Sequence, residues 1–290
     1  MKERACYGLL YAGIRLLSCL PLGVLYVLSE GLYVIIRYVL CYRRKVVGAN
    51  LAASFPEKSE EERLRIEKAF YHHFADYLVE VVKLASIGKT EIQRRAKLEN
   101  PEVVNRLYAE GHSCVVLLMV HYGNWEWFSG SKEFLEGDTY QIYKPLHNRS
   151  MDRLLLKLRE RFGAYGMKRN EAFRDMVGLK ARGQRGAVIF LADQRPALST
   201  VHYRTSFLNQ DTAMLTGAER IARKLDLPVV FLDTRKEKRG YYSVRAELLT
   251  DKPREKPAYR ITEEYARRAE ACIRRAPEYW LWTHKRWKDG

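Results

Sequence analysis

Cys114-Val-Val-Leu-Leu-Met-Val-His-Tyr-Gly-Asn-Trp-Glu-Trp-Phe-Ser-Gly130 decides the reading of this chain. The apolar run Val115 to Val120 ends on His121, Gly123-Asn124 breaks it, and Glu126 follows the histidine by five residues. A run of this length, rich in Val and Leu, is a buried strand. Asn124 suits the cap of a helix starting at Trp125, because its side-chain oxygen can accept a backbone N–H of the first turn. An imidazole therefore stands at the carboxyl end of a core strand, with a carboxylate in the turn that follows. Ligands of open α/β sheets bind at that edge. A carboxylate accepting from one ring nitrogen fixes the tautomer and leaves the other nitrogen free as a base. The spacing alone is common, and its bland reading is a histidine satisfied at a strand end. The strand-to-helix position adds the weight. Metal binding is disfavoured: there is no H-E-x-x-H and no Cys/His cluster with ligand spacing.

Outward from this stretch, strands are expected at 113–120, 139–144, 186–191, 228–233 and 241–248, and helices at 125–135, 150–162, 171–182, 212–226 and 257–275. Strands separated by helices predict an α/β fold with a central, mainly parallel or mixed sheet flanked by helices. Two more strands end in useful groups. One ends on Lys144, with Asn148 and Arg149 beyond it, and the other just before Asp193-Gln194-Arg195. If these strands are neighbours, all of these groups gather on the edge that holds His121. Asp193 then competes with Glu126 as the partner of the imidazole, its plainer reading being a loop or helix cap. Lys144 and Arg149 suit phosphate or carboxylate, Lys as a point charge and Arg as a planar fork; Arg149 reads equally as a surface charge at a helix start.

His121-Tyr-Gly-Asn-Trp-Glu126, Tyr143-Lys-Pro-Leu-His-Asn-Arg149, Leu191-Ala-Asp-Gln-Arg-Pro196 and Trp280-Leu-Trp-Thr-His-Lys-Arg286 together resemble the motifs of the glycerolipid and lysophospholipid acyltransferase superfamily. The first looks like the form found in its lipid A late-acyltransferase branch, and the likeness covers most of the chain. The resemblance implies acyl transfer from acyl carrier protein, or acyl-CoA, to a hydroxyl of a lipid A precursor or related anionic glycolipid of lipopolysaccharide synthesis. It implies His121 as general base, Glu126 and Asp193 as its orienting carboxylates, and Gly123, Asn124, Lys144, Asn148, Arg149, Gln194 and Arg195 around the substrates, with no cofactor. It places the protein at the bacterial inner (cytoplasmic) membrane, its catalytic domain on the cytoplasmic face. One departure stands out: the family usually has Tyr-Arg-Pro where this chain has Tyr143-Lys144-Pro145, which keeps the charge and loses the fork. An aminolipid or lysophospholipid acceptor, or hydrolysis, uses the same base.

Composition bounds these readings. The chain has 290 residues, 51 Lys+Arg against 35 Asp+Glu, and a formal charge of +16. That excess suits an anionic lipid surface or an acidic carrier protein. A non-catalytic basic protein would leave the strand-end His, Lys and Asp unexplained, and nucleic-acid binding predicts one basic stripe, whereas these cations are spread along the chain. Five scattered cysteines without C-x-x-C argue for a reducing compartment. Cys114 is no nucleophile for His121: seven residues at roughly 3.3 Å each separate them, and the odd offset puts them on opposite faces of a strand.

Residues 1–45 form the apolar end, expected to be a membrane anchor, either spanning or interfacial. Lys2 and Arg4 precede it, Glu30 is its only charge between Arg15 and Arg37, Pro21 and Gly23 interrupt it, and Arg43-Arg44-Lys45 follows. A signal peptide fits less well, since Arg15 splits the run and no cleavage site follows. Residues 46–97 read as a helical extension. Ser59-Glu-Glu-Glu62 opens an amphipathic helix over 60–86, on which His72 and His73 read as packing or surface residues. Residues 98–290 read as the α/β domain. Asn209 to Gly217 precedes a helix, with Asp211 or Thr212 as its cap. Trp280, Trp282 and Trp287 mix with His284, Lys285, Arg286 and Lys288, which suits either a lipid interface or a packed C-terminal helix.

Overall fold

The computed structural model describes residues 2–287, and only the backbone of 2–6 and 129–132, so Lys288 and the side chains of Lys2 and Arg4 lie outside the described residues. Strand β1 (Ala96–Leu98) belongs to a sheet with β2 (Cys114–Met119), β3 (Asp138–Tyr143), β4 (Ala164–Lys168), β5 (Gly186–Leu191), β8 (Val229–Lys238) and β9 (Tyr241–Thr250). The order is β1-β9-β8-β2-β5-β3-β4. Every pair is parallel except the β8–β9 hairpin, so the sheet is mixed. A separate hairpin joins β6 (Arg204–Phe207) to β7 (Gln210–Ala213).

Strand β2 lies at the centre and is buried along its whole length. Cys114, Val116 and Leu118 join one core and Val115, Leu117 and Met119 the other, because helices cover both faces of the sheet. That two-sided burial is why the run is apolar without alternation.

Helices α1 (Lys2–Ser18), α2 (Leu22–Val34, extended by a π turn over Ile35–Val39), α3 (Arg44–Ser54) and α4 (Glu60–Lys83) precede the sheet. Ser59 and Glu62 close the expected capping box at the start of α4. Val47 and Leu51 of α3 and Phe70 and Tyr71 of α4 enter the same core as β2. Helices α5 (Lys89–Arg95) and α6 (Glu102–Ala109) follow, and α7 (Arg149–Glu160), α8 (Ala172–Ala181), α9 (Gly217–Leu225) and α10 (Arg260–Arg275) lie between and after the strands.

Strands β1 and β4 are additional to the expected ones, and three further segments differ from expectation. Residues Trp125–Phe134 form a 3₁₀ helix rather than an α-helix, although Asn124 caps it by accepting from the Trp127 amide. The helix expected at 212–226 starts only at Gly217: Asp211 and Thr212 lie in β7, where Asp211 pairs with Arg204 across the hairpin at 2.7 Å. The C-terminal tryptophans form no helix beyond the short turn Pro277–Tyr279. Nor do they face lipid: Trp280 and Trp282 are fully buried, and Trp287 donates to Thr212 inside the fold.

Candidate active site

Strands β2 and β5 are parallel neighbours with Met119 opposite Leu191, so their carboxyl ends deliver His121 and Asp193 to the same edge. His121 Nδ1 donates to Asp193 Oδ1 at 2.7 Å, and the His121 backbone N–H donates to Oδ2 at 3.1 Å. Trp280 Nε1 donates to that same Oδ2 at 2.7 Å. Asp193 is 1% exposed. Burial alone would raise its carboxyl, but the His121 ring and amide and the Trp280 donor outweigh it and hold the group below the ordinary carboxylate range. Arg286, itself buried and pushed down to about 10 by that burial, adds positive charge toward Asp193 while donating to the Ala213 carbonyl.

Two other contacts hold the ring. Trp125 meets it edge-on with centroids 5.1 Å apart, and Gln194 Nε2 donates to His121 Nε2 at 3.3 Å. With Nδ1 committed to Asp193, Nε2 carries the lone pair, which accepts from Gln194 on the side of the cavity.

Glu126 does something else. Among the described residues no hydrogen bond joins it to His121. It grips Arg159 of α7 through two bonds of 2.7 and 2.5 Å. Burial would lower Arg159, yet the Glu126 carboxylate holds the guanidinium above its usual range, so it stays charged. The carboxylate five residues after the histidine thus fixes an arginine on the wall of the site, while the carboxylate seventy-two residues away orients the imidazole.

The turn between them is clamped from below. Gly123 has φ +63°, and a Cβ there would stand 3.1 Å from the Tyr242 ring, so both backbone and space call for glycine. Its N–H donates to the Tyr279 carbonyl, and the Leu281 N–H donates to the His121 carbonyl, stapling the C-terminal segment across the turn. His73, buried on α4, donates from Nε2 to the Gly123 carbonyl at 3.3 Å and accepts from Lys236 Nζ at 3.2 Å. Burial, with Lys236 beside it, keeps this imidazole well below its ordinary value. Asn124 is fully buried and donates to Glu80 Oε2 at 2.7 Å, an oxygen that also accepts from Tyr242. Gly123 and Asn124 therefore build the turn and do not line the cavity.

The cavity on which His121 opens has a volume of about 530 Å³. Ile142, Leu155, Leu156, Phe190, Leu215 and Ile221 give it apolar walls, and Lys144, Arg169 and Arg195 bring cationic groups to it together with Arg159. Lys144, Arg169 and Arg195 make no ion pair with a carboxylate among the described residues. Of the residues expected around substrate, Lys144, Gln194 and Arg195 reach the cavity. Asn148 instead caps α7 by accepting from the Met151 amide, and Arg149 is exposed on that helix start, outside the cavity lining. Sequence reasoning missed Arg159, Arg169 and the Trp280 donor. Arg159 lies on the amphipathic face of α7, the one signal that could have pointed to it. Cys114 is buried, its thiol pushed up to about 11.

Comparison with known proteins identifies the family. The sequence profile of the family described as "Bacterial lipid A biosynthesis acyltransferase" matches residues 3–289. The chain is 26% identical to the lipid A biosynthesis lauroyltransferase of Escherichia coli (strain K12), over 97% of this chain and 92% of that protein. It is 25% identical to the lipid A biosynthesis palmitoleoyltransferase of the same organism and to a lipid A biosynthesis acyltransferase of Shigella flexneri, in each case over 93% of this chain and 86% of the relative. A profile match running almost end to end over this chain, together with relatives covered nearly in full, means that the chain belongs to the bacterial lipid A biosynthesis acyltransferases and is an O-acyltransferase.

Proposed function

We propose that the protein transfers a fatty acyl chain from an acyl thioester to a hydroxyl of a phosphorylated lipid A precursor, with His121 as general base. The observation that carries this reading is the His121–Asp193 hydrogen bond at the mouth of an apolar cavity with cationic groups. The acyl chain takes the apolar part, and Lys144, Arg169 and Arg195 meet the anionic acceptor.

In the reaction, Nε2 of His121 takes the hydroxyl proton as the acceptor oxygen attacks the thioester carbonyl carbon. Asp193 holds the ring through Nδ1 and stabilises the imidazolium that forms. Arg159, fixed by Glu126, offers a preorganised positive charge to the tetrahedral oxyanion. Collapse breaks the carbon–sulfur bond, and the leaving thiolate takes the proton back from His121. Gln194 must release Nε2 before the hydroxyl can approach. A base of this kind contributes roughly 10²–10⁴-fold.

An acyl carrier protein is the donor we favour over acyl-CoA. Helix α9 turns Ala218 and Ile221 into the cavity and presents Arg220, Arg223 and Lys224 beside Arg254 on its outer side, a basic face that suits an acidic protein. The enzyme would work at the cytoplasmic face of the bacterial inner membrane. Purified full-length protein should be given acyl carrier protein and CoA thioesters of several chain lengths with a lipid A precursor, the product being read by mass spectrometry. Acylated precursor that disappears with His121→Ala is the expected result. Transfer undiminished in a folded His121→Ala variant overturns the mechanism.

A further inference from the structure

Residues Leu22–Val39 form an 18-residue apolar helical stretch, long enough to cross most of a bilayer at about 1.5 Å per residue. Its contacts argue against that use. Helix α2 and its π extension run antiparallel along α4 and are tied to it at every turn. Tyr26 donates to Glu80 at 2.9 Å, Ser29 to Asp76 at 2.6 Å, His72 pairs with Glu30 at 2.7 Å, and Arg37 donates to Glu67 at 3.1 Å. Arg239, from the turn between β8 and β9, adds a contact to Glu30 at 2.7 Å. Glu67, Asp76 and Glu80 are all buried, and Glu80 also holds Asn124 of the active-site turn. A helix threaded through the hydrocarbon could not keep its whole length on a domain outside it.

The opposite face is apolar. Val24, Val27, Leu28, Val34, Ile35 and Tyr38 are exposed at helical spacing, and no charged residue interrupts the stripe. This helix thus turns its polar groups inward, alongside buried Leu25 and Ile36, and an apolar stripe outward, where a soluble surface helix carries polar residues. Exposed Arg43 and Lys45 follow it. Helix α1 also exposes Leu9 and Leu16 and packs on α7, which carries Leu155, Leu156 and Arg159 of the cavity wall.

We infer that the protein is monotopic: α2 lies in the plane of an anionic bilayer, its outer stripe seated among the acyl chains just below the headgroups. Arg43 and Lys45 meet anionic headgroups, and the cavity is held beside the surface from which a lipid acceptor comes. The inference rests on the lipid-acceptor reading only for the purpose of this placement; the depth of the helix is measured without any turnover.

Single accessible cysteines at Val24, Val27, Ile35 and Val39 of the full chain, with Cys6, Cys19 and Cys41 replaced by serine and Cys114 and Cys272 buried, can carry an environment-sensitive fluorophore. Vesicles of phosphatidylethanolamine and phosphatidylglycerol then receive lipids with nitroxides at shallow or deep acyl positions. Equal, shallow quenching at all four sites is the expected result. A profile deepest at the middle of the stretch and shallow at its ends means a spanning helix and overturns the inference, as does the absence of lipid quenching. Separately, Val27→Asp with Ile35→Asp should lower vesicle binding at least tenfold with an unchanged circular dichroism spectrum, whereas undiminished binding overturns it. Acyl transfer to detergent-dispersed acceptor, assayed in parallel, reports on the functional reading alone.

Discussion

Asp193 binds His121 twice, through the ring Nδ1 at 2.7 Å and through the backbone amide at 3.1 Å. One carboxylate therefore sets both the tautomer of the imidazole and the position of the chain that carries it. This makes Asp193 the sensitive member of the site. Asp193→Asn keeps the shape but loses the charge opposite the imidazolium, and its amide can present a donor to Nδ1, favouring the wrong tautomer. We expect kcat to fall by about 10²–10⁴-fold with little change in KM. A loss under tenfold, measured on protein of unchanged thermal stability, would remove Asp193 from the mechanism.

Glu126 predicts a different phenotype. Breaking a buried pair by removing one partner costs about 3–5 kcal/mol, and Glu126→Ala leaves the Arg159 guanidinium buried without its carboxylate. Urea denaturation should register a loss of that order, alongside slower turnover. If stability is untouched and only turnover falls, Glu126 acts directly on the imidazole or the substrate, and the pairing with Arg159 is incidental.

The cationic groups divide by position. Neutralising Lys144, Arg169 or Arg195 should raise the KM for a phosphorylated acceptor by about tenfold each, as charge-assisted contacts made equally in ground and transition states appear in KM. Arg149→Gln should leave it unchanged, because Arg149 stands outside the cavity lining. Steady-state kinetics with acceptor as the varied substrate checks both. A KM effect at Arg149 equal to that at Lys144 would move the acceptor site along α7.

Acid should loosen the clamp under the active-site turn. Burial depresses His73 well below its ordinary value and lowers His284 to about 4. Both groups bind protons more readily unfolded, with an ordinary pKa of about 6.5. Their stabilising contribution is therefore complete above about pH 6.5 and is lost as the pH falls toward the folded value, near 4 for His284. Denaturation midpoints measured from pH 7.5 to 4.5 should decline, and His73→Gln should flatten part of that slope. A slope identical in that variant would sink the assignment to His73.

Much of the site was legible because it is local or follows from strand order. The Val115–Val120 run, the Asn124 cap and the break at Gly123 identify the strand and its carboxyl edge without reference to the rest of the molecule. Asp193 could be named as a candidate because it too follows an apolar run. Choosing between Asp193 and Glu126 could not be done locally. Glu126 is nearer in sequence, but the turn directs it toward α7. The hairpin at 204–213 is not legible in the sequence, and the helix expected at 212–226 overlaps its last two residues, because its strands are four residues each and carry mixed polarity. The tryptophans leave two readings open for a related reason: an indole suits a lipid interface or a buried polar contact equally well, and only packing shows which.

By itself the sequence determined the α/β class, the central strand and the histidine at its end, since these depend on hydrophobic run length and backbone chemistry within a few residues. The tertiary structure decided the partners. The β2–β5 register places Asp193 on the imidazole, α7 supplies the arginine that takes Glu126, the C-terminal strap brings in Trp280, and α4 covers the polar side of α2. Each is a contact between segments separated by tens of residues. Such contacts are set by sheet order and by the need to pair every buried charge, conditions that no local pattern encodes.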